Sequence, residues 1–200
     1  MNSGKQLIAG FALALAVLFS INVQAGDGDK SGAQKVKKKD FETNKMIGML
    51  DVNKFTTADL EVVKQYRYDL SPEQVWKIVS VSENIPDMVK SVKSVKVNHS
   101  KEDDLGVGCV RECSFGGESL TEEVVYVEQN KVFAYKVMDN DMVSNHLGVM
   151  KLDKDGDGTV LTWYQYFDPG AKKMKASMMK MMMGGVLKDA MKNVEDMAAM

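Results

Sequence analysis

From residue 60 to residue 167 apolar and polar positions mostly alternate, the period of strands that bury one face. Residues 60–70 carry Val62, Val63, Tyr66 and Tyr68 and predict a first strand. The alternation stops at Ser71-Pro72-Glu73-Gln74. Serine caps a helix, proline suits its first position, and a glutamine three residues after the cap closes a capping box. Val75, Trp76 and Val79 give this helix a buried face, and 82–90 predict a second short helix bent at Pro86. Strand spacing returns over 91–99. After a charged turn at 101–106 it continues as a run of hairpins.

The hairpin registers follow from their turns. Gly116-Gly117 as a two-residue turn sets Arg111 opposite Glu122, Cys113 opposite Leu120 and Cys109 opposite Val124. The face holding Cys109, Arg111, Cys113, Phe115, Leu120, Glu122, Val124 and Tyr126 is the more apolar and is expected to point inward. A turn at Gln129-Asn130 pairs Tyr126 with Phe133 and Val124 with Tyr135. In the last hairpin, 144–152 with 159–167, a four-residue loop sets Met150 opposite Leu161, Gly148 opposite Trp163 and His146 opposite Gln165. A glycine facing a tryptophan leaves room for the indole.

Residues 172–200 change period. Met179, Met182, Met183, Val186, Ala190, Val194 and Met197 recur at helical spacing, with Lys173, Lys180, Lys188, Lys192 and Glu195 on the other side. A helix this apolar on one side needs a surface to lie on, and the strands supply it. The order predicts an α+β fold: a seven-stranded antiparallel sheet curled around a long C-terminal helix, with two short helices after the first strand. Gly184-Gly185 predicts a bend in that helix or a close approach to a ligand.

Charge and ends refine the picture. With 26 basic and 28 acidic residues the net charge is -2, which argues against nucleic-acid binding. Residues 1–25 read as a secretory signal: Lys5, an apolar core over 7–23, and Val23-Gln24-Ala25 as the cleavage site. The alternative is an uncleaved anchor. Cleavage makes the chain a secreted, periplasmic protein. Residues 26–58 are expected to be a flexible leader and N-terminal extension ahead of a domain spanning 59–200. Within it, 26–40 read as solvated and 41–58 as a short helix or loop covering one end of the domain. Lys35, Lys37, Lys38 and Lys39 can touch anionic lipid transiently. The only cysteines, Cys109 and Cys113, share a strand face roughly 13 Å apart at ~3.3 Å per residue, too far for a disulfide. They are expected as free thiols.

The run Ser71-Pro72-Glu73-Gln74-Val75-Trp76, the turn Gly106-x-Gly108-x-x-Arg111, and Asp157-Gly158-Thr159-Val160-Leu161-Thr162-Trp163 resemble the SRPBCC (START/Bet v 1-like) superfamily. The nearer likeness is to its polyketide cyclase/dehydrase-type branch, over about 60–195. The resemblance implies a helix-grip fold with an apolar cavity between sheet and helix. It also implies binding or transport of lipids, sterols, polyketides or hormones, with a minority of members catalysing cyclisation or dehydration. The chain departs from that pattern at Pro86-Asp87-Met88-Val89, where the family often has tryptophan and then proline. The superfamily shares no catalytic set.

Candidate chemistry is sparse. Arg111 with Glu122 can orient a carboxylate, a phosphate or an enolisable carbonyl, or can be a structural ion pair. His146 beside Gln165 is either an acid/base group or a hydrogen-bonded core histidine; His99 is expected in solvent. The candidate catalytic residues are thus His146, Arg111 and Glu122. The ligand-lining set is Arg111, Cys113, Glu122, Val124, Phe133, Tyr135, His146, Trp163, Met179, Met182, Met183 and Val186. Asp153-Lys154-Asp155-Gly156-Asp157-Gly158 superficially matches a calcium loop, but Tyr164 stands where a bidentate glutamate belongs, so it reads as a turn. Met174, Met178, Met179, Met181, Met182 and Met183 can line an adaptable cavity or bind Cu(I). No cofactor or resident metal is implied. The expectation is an exported carrier of a small hydrophobic, lipid-like or polyketide-like molecule, with a cyclase or dehydratase and a Cu(I)-binding protein as the alternatives.

Overall fold

The computed structural model describes residues 32–98, 106–170 and 175–200. The signal segment, His99, the 101–105 turn and Met174 lie outside them. Ten strands are described: β1 Gly32–Gln34, β2 Met46–Ile47, β3 Leu50–Asp51, β4 Leu60–Tyr68, β5 Ser94–Asn98, β6 Val110–Ser114, β7 Ser119–Glu128, β8 Val132–Met138, β9 Val143–Asp155 and β10 Gly158–Pro169. Three helices accompany them: α1 Pro72–Val79, α2 Ile85–Met88 and α3 Ala176–Ala198.

The sheet is antiparallel in the order β1-β4-β10-β9-β8-β7-β6-β5. Strands β5 to β10 form a meander, each hydrogen-bonded to the next in sequence. Strand β4 pairs instead with β10, at the far side from β5. The chain must therefore cross the sheet between β4 and β5, and α1 and α2 carry it over. The crossing starts as the sequence specifies: Ser71 accepts from Gln74 N–H while the Gln74 side chain accepts from Ser71 N–H. Such a cap stabilises a helix by about 1 kcal/mol.

The long helix α3 packs on one face of the sheet, together with α1. Met179, Gly184, Leu187, Ala190, Met191 and Val194 are its buried residues. They meet Tyr66 and Tyr68 of β4, Val75, Trp76 and Val79 of α1, and Phe133, Met150 and Trp163 of the sheet in one continuous core. Tyr68 donates its hydroxyl proton to the Met191 carbonyl at 2.8 Å, and Tyr66 to Glu195 at 2.6 Å. The seven strands expected from the sequence are all present, and β1 adds an eighth at the β4 edge.

Several expectations need correction. The helix runs through Gly184-Gly185 without interruption. A Cβ on Gly184 would lie 3.3 Å from Lys64 Cε, so this glycine brings α3 close to β4. Leu187 and Met191, not Met182 and Val186, fill the buried stripe. Methionines on every side of the first turns had hidden the phase of that face at these two positions.

Segment 32–58 packs against the domain. β1 pairs with β4, and Ile47, Leu50, Val52 and Ala58 pack on the outer face of the sheet against Val63, Val132, Leu147, Val149 and Tyr166. Residues 41–58 thus roof a sheet face, not one end of the domain. Lys35, Lys37 and Lys39 remain exposed as expected.

Two registers also shift. The turn of the last hairpin holds two residues, Gly156-Asp157, with Gly156 at φ 63°. Glycine takes that left-handed conformation without strain, so the tight turn wins over a four-residue loop. Trp163 then faces Met150, Leu161 faces Leu152, and Gln165 faces Gly148. A bulge at Val124/Tyr126 pairs Tyr126 with Ala134 and Val127 with Phe133, turning Tyr126 to the outer face.

Candidate functional site

Strand β6 places Arg111 opposite Glu122 of β7, as the two-glycine turn requires. Both are buried, at 4% and 9% exposure, and Arg111 Nε donates to Glu122 Oε2 at 2.7 Å. The guanidinium carbon stands 5.4 Å from the Phe133 ring centre and 4.7 Å from that of Tyr135. Stacking a desolvated cation on two aromatic faces is worth about 2 kcal/mol. Burial works against the charge, but Glu122, Tyr135 and Cys113 outweigh it and hold the Arg111 pKa above its usual value. Among the described residues, its one hydrogen bond is the Nε contact. The two terminal amino groups are what this cation can offer to a guest.

Tyr135 connects the ion pair to a polar chain. Its hydroxyl oxygen accepts from Trp163 Nε1 at 3.2 Å and from Gln165 Nε2 at 2.9 Å. Two acceptor positions are thereby used, and the phenolic proton is left as the group's further donor. Burial first, and then the Glu122 charge, raise the Tyr135 pKa, so this proton stays in place.

Gln165 Oε1 lies 2.7 Å from His146 Nε2, and His146 Nδ1 accepts from the Val137 N–H at 3.0 Å. That backbone donor fixes the imidazole proton on Nε2, which donates to Gln165. Burial lowers the His146 pKa, and the ring is neutral at pH 7. Both nitrogens are spent on protein partners. Of the two roles open to His146 in the sequence, this geometry is that of the hydrogen-bonded core histidine, a joint of the scaffold.

Cys109 and Cys113 are buried and form no disulfide with each other, as expected. Burial, reinforced by Glu122, pushes the Cys113 thiol up to about 12, which makes it inert as a nucleophile. Asp155 and Asp157 of the calcium-like turn face Arg67, at 2.9 Å and 3.4 Å.

Of the expected lining set, Arg111, Cys113, Glu122, Val124, Phe133, Tyr135, His146, Trp163 and Met179 are buried. Met183 packs half-buried on the core, whereas Met182 and Val186 sit at its flank. Sequence reasoning missed Met150, Leu187 and Met191, and took Gln165 only as a neighbour of His146.

Among the described residues, side chains of the helix and of the sheet meet between them in one continuous buried cluster. Two hollows are developed elsewhere. One of about 180 Å³ lies where the end of α3 meets the end of β4, lined by Tyr68, Asp69, Leu70, Glu195, Ala198 and Ala199. The other, about 250 Å³, is lined by Lys38, Glu42, Lys45, Asp59 and Leu60 beside the N-terminal extension. Neither is lined by Arg111.

Residues 59–198 match the family model described as polyketide cyclase / dehydrase and lipid transport. The chain belongs to that family. Solved structures share the fold of this polyketide cyclase/dehydrase family member. A START superfamily protein from Mycobacterium smegmatis superposes with a TM-score of 0.59 at 19% identity, covering 69% of this chain and 96% of that one. The protein XoxI from Bacillus cereus gives 0.58 at 17% identity over 69% and 94%. Ara h 8.0201 gives 0.55 at 12% over 69% and 96%. No curated protein matches the chain. The family model begins at Asp59, so the segment that roofs the outer face lies ahead of it.

Proposed function

We propose that this family member is an exported carrier of a small hydrophobic molecule bearing an oxygen-rich head, held between the sheet and α3. The observation that carries the reading is Arg111. A cation 4% exposed, stacked on Phe133 and Tyr135 and tethered, among the described residues, only through Nε, is costly in a core built for packing alone. Its terminal amino groups and the Tyr135 proton are matched to a carboxylate, phosphate or carbonyl oxygen. The guest's apolar body would displace Met150, Met179, Met183 and Met191, whose unbranched side chains repack at little cost. Burial at roughly 25 cal/mol per Å² of apolar surface would drive uptake. A soluble carrier suits an exported chain, because apolar molecules need shielding across an aqueous compartment. The leader lysines Lys35, Lys37, Lys38 and Lys39 would meet anionic lipid during loading or release.

The test is mass spectrometry of the protein recovered from its native host, first under native and then under denaturing conditions. It is paired with titration of a fluorescent fatty acid and its methyl ester. The expected result is a co-purified apolar molecule and tighter binding of the acid than of the ester. In Arg111→Met/Glu122→Leu, which removes both charges together, that preference disappears. No bound molecule, no fatty-acid binding and an unchanged variant would end the reading. Turnover of the bound molecule, lost in the variant while binding persists, would make the protein an enzyme instead.

A further inference from the structure

Six of the ten residues from 174 to 183 are methionines, and α3 distributes the described ones among opposite directions. Met179 is 4% exposed and Met183 packs on the core, so these serve the interior. Met178 and Met181 are 48% and 61% exposed, with Met182 beside them on the outward side. An interior guest cannot account for methionines that point away from it. We infer that this outward methionine stripe, together with the leader lysines, is a docking face for a bilayer carrying anionic lipid.

Charge selects that occupant. Residues 175–188 contain Lys175, Lys180 and Lys188 and no acidic residue. The leader is tied to the same corner of the domain through Glu61, which sits at a bulge in the pairing of β4 with β10. Its Oε2 pairs with Lys180 of α3 and lies 4.0 Å from Lys38 of the leader. Lys35, Lys37 and Lys39 are exposed on either side of Lys38. Lys180 and Lys38 are taken up by Glu61, and Lys38 also by Glu42. The cations this corner exposes beside its unbranched apolar side chains are therefore Lys35, Lys37, Lys39, Lys175 and Lys188, a composition that suits an interface of anionic headgroups. The inference does not depend on which molecule, if any, the interior holds.

Flotation with vesicles tests it. The full chain is compared with Met178→Gln/Met181→Gln and with Lys35→Gln/Lys37→Gln/Lys39→Gln. The vesicles are phosphatidylcholine, alone or mixed with phosphatidylglycerol. All five side chains are exposed, so circular dichroism and thermal unfolding should not change. The full chain is expected to favour the phosphatidylglycerol vesicles, and added salt should reverse that preference. The lysine variant should lose on the order of a hundredfold in partitioning, from about fivefold per lysine. The methionine variant should lose roughly tenfold, from lost apolar burial.

Equal binding by all three chains overturns the proposal. So does salt-insensitive binding to both vesicle types, which places attachment on the apolar 7–23 segment. A dimer in lipid-free solution that Met178→Gln/Met181→Gln dissolves would put a second copy on the stripe instead. Denaturing mass spectrometry of the same samples separates the two readings. An empty interior with intact vesicle binding sinks the carrier alone, and a retained guest without vesicle binding sinks the docking face alone.

Discussion

Gly148 and Tyr135 face each other across β9 and β8, and the phenol occupies the space a side chain on Gly148 would need. A Cβ there would lie 2.4 Å from Tyr135 Cζ and 2.7 Å from its hydroxyl oxygen. Gly148→Ala should therefore push the ring aside and loosen its bonds to Trp163 and Gln165. Overpacking of this kind costs about 1–3 kcal/mol. Denaturant unfolding should show that loss, and a change in Trp163 emission should accompany it. Wild-type stability in this variant would mean the ring can move freely.

The Arg111–Glu122 pair should behave as a unit. Removing one partner leaves a buried charge uncompensated and costs about 3–5 kcal/mol, whereas replacing both with apolar residues is often close to neutral. Arg111→Met and Glu122→Leu should each lower the unfolding free energy by that order. The double variant should recover most of it. A double-mutant cycle on denaturant curves measures the coupling, and additive losses would show that the pair is not interacting.

His146 predicts a pH dependence whose sign is fixed. Its folded pKa is depressed below the ordinary 6.5 by burial, so below that value the unfolded chain binds a proton that the folded chain does not. Its contribution is complete above about pH 6.5 and is lost as the pH falls through that value toward the folded pKa. The slope approaches ~1.4 kcal/mol per pH unit. In His146→Asn the unfolding free energy should be lower at pH 7 but flatter between pH 7 and pH 5.

Gly185 has open space where a Cβ would go, and it lies inside an unbroken helix. Gly185→Ala should stabilise the protein by about 0.5–1 kcal/mol, the usual difference in helix propensity. Gly184→Ala should gain less, because its Cβ presses on the flexible Lys64 side chain at 3.3 Å. A rise in thermal midpoint for the first variant checks this. A fall would restore the bend that the sequence suggested.

The architecture was legible because alternation, the Ser71 cap and the Gly116-Gly117 turn act locally and agree with one another. That turn alone set Arg111 against Glu122. The last hairpin was misread because Gly156 and Gly158 both permit a turn, and backbone twist, not composition, chose the shorter one. The phase of α3 was read correctly at Met179, Met183, Ala190, Val194 and Met197 and missed at Met182 and Val186, for a different reason. Six methionines around its start leave no polar side from which to read an inward direction. His146 next to Gln165 was visible, but its neutral, doubly bonded state depends on the Val137 amide, which side-chain pattern does not reveal. The roof formed by residues 41–58 was missed because single apolar residues such as Leu50 and Val52 show no period.

That roof changes what counts as the smallest viable piece of the molecule. A gene trimmed to begin at Asp59, where the family's own pattern starts, would strip Ile47, Leu50 and Val52 from Val132, Leu147 and Val149. Greasy strand surface would then be wetted along the middle of the sheet, and such fragments would clump out of solution.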